Sequence, residues 1–224
     1  MLGSSHVKEL PLSKLYIHII ESPSPLDILK DNREGAVLTE GLKLLGIENR
    51  YYMAIDKSTF SNAIELAGEN FKEGLFPAIL HLSCHGDRDG VQLSDGAVIR
   101  WEELKTYLIP INNLVSGYLM FCISSCEGFQ GLRMAQVLIG DLPYKGIIGP
   151  DDIITWKDSA LGFLTYYHHI FTKQSSIPDA VQAMKVASGN SCFNVILASK
   201  VKDLWQSQFW AIVQHLQRGQ PPTK

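Results

Sequence analysis

Pro77-Ala78-Ile79-Leu80-His81-Leu82-Ser83-Cys84 is an apolar run that stops at His85-Gly86. A second run, Tyr118-Leu119-Met120-Phe121-Cys122-Ile123-Ser124-Ser125, stops at Cys126-Glu127-Gly128. Short apolar runs bounded by turn residues read as strands buried on both faces of a parallel sheet. In open α/β sheets, sites form just beyond the carboxyl ends of such strands. Each run therefore delivers a reactive side chain, one imidazole and one thiol, to the edge where sites form. That pair is what nucleophilic catalysis by cysteine requires.

The flanking sequence alternates in kind. Residues 15–20 read as a first strand, closed by Glu21-Ser22-Pro23-Ser24-Pro25. Residues 32–45 have helical spacing through Val37, Leu38, Leu42 and Leu45, with Gly46 suited to the C-terminal cap. A second strand (50–55) and a helix capped by Ser58 and ending near Gly74 lead into the strand at 78–84. Asp95-Gly96 predicts a hairpin over 90–99. A helix over 101–108 should end before Pro110, and another should span 130–139 after the second run. A fifth strand (146–149), helices at 157–171 and 178–187, a sixth strand (192–198) and an amphipathic helix (204–216) complete the chain. The fold class is α/β: three layers, with a six-stranded, mainly parallel sheet, helices on both faces, and a small β-hairpin after the third strand. Residues 1–14 read as a leader, 15–218 as a single domain and 219–224 as a tail. The sixth strand is apolar enough to need a cover, which a partner or the final helix with Trp205, Phe209 and Trp210 would give.

Composition narrows the function classes. With 46% hydrophobic and 19% charged residues, the 224-residue chain is globular. Net charge is −3 and no Lys/Arg block stands out, so nucleic acid is not an expected partner. All four cysteines fall in or beside predicted strands, as reduced thiols of a cytoplasmic protein would. There is no apolar signal region and no run long enough to span a bilayer, so no membrane association is expected. No P-loop and no Gly-x-Gly-x-x-Gly pattern is present, and no cofactor is expected.

Strand alternation sorts the reactive residues. Ile79, His81, Ser83 and His85 share one face; Leu80, Leu82 and Cys84 share the other. Cys84 and Cys122 lie inside apolar runs and read as core thiols. Cys126 lies past its run, where the chain turns towards a helix. A free thiol titrates near about 8.5, and a helix N-terminus or an imidazolium nearby favours the thiolate. His85 is placed to take the thiol proton and later protonate the leaving amine. Gly86 lets a substrate approach the backbone closely, and the N–H groups of Gly86 and Cys126 are candidates for an oxyanion hole. His81 reads as a core residue, and His168 and His169 lie in a helix. A metal site is not expected, because Cys84 and His85 point to opposite faces and no Cys-x-x-Cys pair exists.

With those residues, the chain resembles the caspase-type cysteine peptidases of clan CD, which carry His-Gly after one strand and Ala/Ser-Cys after the next. His81-Leu82-Ser83-Cys84-His85-Gly86 and Ser124-Ser125-Cys126-Glu127-Gly128 are most similar to the CHAT peptidases (caspase-HetF associated with tetratricopeptide repeats). The resemblance implies a caspase-like (caspase-hemoglobinase) fold and a cysteine endopeptidase acting on protein or peptide substrates. It implies His85 as general acid/base, Cys126 as nucleophile, and Gly86 with the Cys126 backbone as oxyanion hole. It also implies a regulated bacterial effector switched on by a protein partner or sensor.

Caspases bind aspartate before the cut through arginines, one of them at the end of the first strand. Glu21 stands there in this chain, and Asp151-Asp152 follow the fifth strand. Carboxylates in such a pocket attract Arg or Lys, so cleavage after a basic residue is expected. Two other classes fit parts of the pattern. A catalytically silent caspase-like interaction module need keep neither His85 nor Cys126. A cysteine amidohydrolase, whose nucleophile elbow Ser124-Ser125-Cys126-Glu127-Gly128 also resembles, carries its histidine after the cysteine rather than before it.

Overall fold

β1 (Leu15–Ser22) opens the sheet of this computed structural model, which describes residues 14–217. The expected leader up to residue 13 and the tail at 219–224 lie outside the described residues. A five-residue helix, α1 (Pro25–Leu29), follows β1, and then come α2 (Glu34–Leu44), β2 (Asn49–Met53) and α3 (Lys57–Lys72). β3 (Phe76–Asp87) is the longest strand and continues into the hairpin of β4 (Gly90–Gln92) and β5 (Val98–Arg100). After α4 (Trp101–Leu114) come β6 (Met120–Ser124), a run of 3-10 turns over Gly128–Ala135, and β7 (Gly146–Pro150). The chain then forms α5 (Trp156–Tyr167), a π-turn segment over His168–Thr172, α6 (Ile177–Ser188), β8 (Phe193–Leu197) and α7 (Ala198–Gln217).

The main sheet runs β2-β1-β3-β6-β7-β8, parallel throughout except for β8, which is antiparallel to β7. This is the six-stranded, mainly parallel sheet that the alternation of elements predicts, with the hairpin paired to the end of β3. Each face has its own core. Leu80, Leu82, Cys84, Phe121 and Ile123 pack against Phe60 of α3 and Leu104 and Leu108 of α4. Ile17, Ile19, Ile79 and Cys122 pack against Leu38 of α2, Phe163 and Tyr167 of α5, and Met184 of α6. Each Leu, Ile, Phe or Met side chain among these contributes about 1.5–3 kcal/mol when fully buried, and two buried faces fix the strand register, since a one-residue slip would exchange them.

The structure corrects four expectations. Pro23 to Pro25 do not begin a loop: Ser24 caps α1, with Pro25 in its first turn. Pro110 lies inside α4 rather than ending it; the helix runs on to Leu114 because Ile111, 2% exposed, still faces the core. The helix expected at 130–139 is the shorter 3-10 run instead, and it carries no side-chain cap. Finally, the last helix does not fully cover the apolar strand: Trp205, Phe209 and Trp210 remain 38%, 37% and 58% exposed. Among the described residues, no helix is long and apolar enough to cross a membrane.

Candidate active site

The ladder between β3 and β6 ends where Ser83 faces Ser124. His85 follows two residues later on β3, so the period of two carries it towards the face of Ile79, Cys122, α2 and α5, while Cys126 follows two residues after Ser124 in the turn that ends β6. β3 runs on to Asp87, held by pairing of His85 with Gln92 and Gly86 with Val91. β6 stops, and the chain turns tightly, with the Gly128 N–H donating to the Ser125 carbonyl at 3.0 Å. Glu127 takes a left-handed φ of 52° in this turn, and Cys126 stands half-buried at its start. The Ser125 side chain fills the gap between Gly86 and Gly128. A Cβ would meet its Oγ at 2.9 Å from Gly86 and at 2.7 Å from Gly128. Glycine at both positions is what lets the two strand ends approach this closely.

A residue outside the sequence-based set holds His85. Asp27, on α1, accepts from His85 Nε2 at 2.6 Å through Oδ2 and from Trp156 Nε1 at 3.1 Å through Oδ1. The Trp156 ring also meets the His85 ring edge to face, with centroids 5.2 Å apart. Ser24 and Asp27 form a reciprocal cap: the Asp27 N–H donates to Ser24 Oγ, and the Ser24 N–H and hydroxyl donate to Asp27 Oδ2. Burial pushes the Asp27 carboxyl up, but hydrogen bonds from Ser24, His85 and Trp156 outweigh it and hold the group below its ordinary value. Asp27 is therefore a carboxylate, which can only accept. His85 Nε2 must carry the hydrogen, and in the neutral ring Nδ1 keeps the lone pair of a base.

Beneath these residues the same face carries a buried polar cluster. Glu34, 2% exposed, accepts from Ser83 Oγ at 2.6 Å and from Ser124 Oγ at 2.9 Å. Burial raises its carboxyl to about 7 against the lowering effect of those serine bonds. His81 Nε2 lies 3.0 Å from Ser124 Oγ, and its Nδ1 lies 2.6 Å from the Tyr167 hydroxyl. Burial lowers His81 to about 3, so it is a neutral core residue, in line with its mid-strand position.

The three candidate pocket carboxylates fall in different surroundings. Glu21 is not brought to the site rim. It is 1% exposed, and its carboxylate accepts from the Gly35 and Ala36 N–H groups at 2.8 and 3.3 Å and from the Tyr51 hydroxyl at 2.7 Å. It is engaged by the otherwise unpaired N–H groups that open α2. Asp152 is exposed and adjoins the nucleophile turn, its carbonyl accepting from the Glu127 N–H at 3.2 Å. Asp151, also exposed, turns towards β8, where Asn194 Nδ2 donates to it at 2.7 Å. Glu127 adds a carboxylate beside Cys126, 3.7 Å from Arg88. Two residues beyond Asp152, the Ile154 carbonyl lies 3.8 Å from Cys126 Sγ. His168 and His169 lie beyond the far end of α5, about 18–20 Å along the helix from Trp156 at 1.5 Å per residue.

No protein-family model matches the chain, and no curated protein matches it. Among solved structures, caspase-1 from Spodoptera frugiperda superposes with a TM-score of 0.50, covering 78% of this chain and 76% of that one at 13% identity. The chain has a caspase-like fold. Pro-sf-caspase-1 also matches, with a TM-score of 0.43 over 75% of this chain and 86% of that one, again at 13% identity. In the caspase-like fold of this chain, β3 and β6 are central neighbours, and both sequence motifs lie at their carboxyl ends.

Proposed function

We propose that the chain is a cysteine endopeptidase in which Cys126 is the nucleophile, His85 the general acid/base and Asp27 the group that orients His85. The observation that carries this reading is the His85–Asp27 hydrogen bond of 2.6 Å, which leaves Nδ1 free at the strand end next to that of Cys126. His85 Nδ1 takes the thiol proton, and the sulfur attacks the scissile carbonyl carbon. The N–H groups of Gly86 and Cys126 donate to the oxyanion. As the C–N bond breaks, His85 returns the proton to the leaving amine. Water then adds to the thioester, giving a proton to His85, and release of the acid restores the thiol.

Exposed Asp151 and Asp152, with Glu127 beside them, support a preference for Arg or Lys before the cut. Glu21 is left out of this pocket because it is buried against the start of α2 rather than exposed. The two motifs support placement near the CHAT peptidases, and with it the role of a cytoplasmic effector activated by a protein partner. A panel of fluorogenic peptides differing only before the cut tests the substrate class. Arg and Lys substrates are expected to be hydrolysed at least tenfold faster than the Asp substrate, and the reverse order overturns the basic preference.

A further inference from the structure

One buried carboxyl takes no part in that mechanism. Glu34 opens α2, yet its side chain reaches under the sheet to the last rung of the β3–β6 ladder, where Ser83 and Ser124 are Cα partners. Ser83 donates to one oxygen at 2.6 Å and Ser124 to the other at 2.9 Å. Ser124 in turn accepts from His81 Nε2 at 3.0 Å, and His81 Nδ1 accepts from Tyr167 at 2.6 Å. Neutral His81 has one donor and one acceptor, so the chain has a single direction: Tyr167 to His81 to Ser124 to Glu34, with Ser83 joining at the end.

Beyond this rung, the two strands no longer pair with each other. The next filler between them, Ser125 Oγ, is buried and makes no hydrogen bond. Apolar residues at positions 34, 83 and 124 together would fill the space without burying a carboxyl, which is costly unless fully bonded. What the carboxyl adds is direction. We infer that Glu34 is a positioning residue: by bridging Ser83 and Ser124 it sets the spacing of His85, one pleat further along β3, and Cys126, two residues on in the turn that leaves β6. The inference rests on the reading that His85 and Cys126 act as a pair. Displacement of a reacting group by about 1 Å costs on the order of 10²-fold in rate, so loosening this bridge should register in catalysis before it registers in folding.

The test compares wild type with Ser83→Ala, Ser124→Ala, the double variant and Glu34→Gln, each checked for folding by thermal melting. Two quantities are read: kcat and KM on a fluorogenic peptide, and the rate at which iodoacetamide alkylates Cys126 with His85 intact or changed to Ala. Each serine variant should lose at least tenfold in kcat with KM within about twofold. The double variant should be no worse than the worse single one, because either loss opens the bridge. Glu34→Gln, whose amide can accept from Ser124 and donate to Ser83, should stay within about fivefold of wild type. The His85-dependent part of Cys126 alkylation should fall in the same serine variants, and this readout holds even where peptide turnover is absent. Folded serine variants that keep wild-type kcat and wild-type His85-dependent alkylation overturn the positioning role. If His85→Ala leaves alkylation unchanged in the otherwise native protein, the pairing of His85 with Cys126 fails instead and takes this inference with it.

Discussion

Asp27 decides which nitrogen of His85 is basic. As a carboxylate it forces the hydrogen onto Nε2, and an amide in its place would offer that nitrogen a donor as readily as an acceptor. Asp27→Asn should therefore lower kcat by about 10²–10⁴-fold, the range that a well-placed general base supplies, while Cys126 remains present and alkylatable. The same residue links stability to acid. Its folded pKa lies below the ordinary 3.8, so its stabilisation is complete above that value and is lost as pH falls through the lower folded one. Melting curves should show Asp27→Asn less stable than wild type at pH 7 and the gap closing towards pH 3. As candidates, His85 and Cys126 can be picked from the sequence because each ends an apolar run, whereas Asp27 cannot. Its one local sign is Ser24-Pro25-Leu26-Asp27, a capping serine three residues before a carboxylate with proline between, and two prolines in three residues read more readily as a loop.

α1 spans five residues, too few for a helix that stands on propensity alone. It is held by the Ser24–Asp27 cap and by the contacts of Asp27 with His85 and Trp156. Removing the cap with Ser24→Ala should cost about 1 kcal/mol and also lower kcat, because the helix that slackens is the one that aims His85; urea melts and turnover on the same preparation check both effects. α2 carries the opposite pH response. Glu34 is raised from its ordinary 4.5 to about 7, facing Ser83 on β3, Ser124 on β6, Ser159 on α5 and the Glu21 carboxyl on β1. The folded protein binds this proton more tightly than the unfolded chain does, so the stabilisation is full below 4.5 and is lost as pH rises through about 7. Roughly 3 kcal/mol is involved at about 1.36 kcal/mol per unit. Glu34→Gln, which has no such proton, should melt above wild type at pH 8, with the advantage shrinking towards pH 4.5. Elements written as one short continuous apolar run between turn residues, β3 and β6 above all, could be read from sequence. The 3-10 run after Cys126 could not, because tight turns and a left-handed Glu127 replace the α-helical geometry that its spacing suggests. Pro110 removes one backbone hydrogen bond and so predicts an early end to α4, yet burial beyond it outweighs that loss.

At the scale of the whole molecule, alternation of strand and helix announced a sheet with two covered faces, and the two cores deliver it. What alternation could not announce is the direction of β8, which is reversed because two helices, α5 and α6, rather than one lie between β7 and β8, or how little of α7 the sheet would take up. Nor does it reveal that Glu21, at a strand end like His85, closes inward on α2 while His85 stays open to solvent. Strand ends supply candidates; the elements packed over them choose which ones face a substrate. The proposed peptidase activity depends on His85 and Cys126 working together, and the most direct measurement is hydrolysis of an Arg- or Lys-containing fluorogenic peptide by wild type, Cys126→Ala and His85→Ala. Turnover by wild type that is abolished in Cys126→Ala and reduced at least a hundredfold in His85→Ala is the predicted result. Hydrolysis that survives intact in either variant would contradict it.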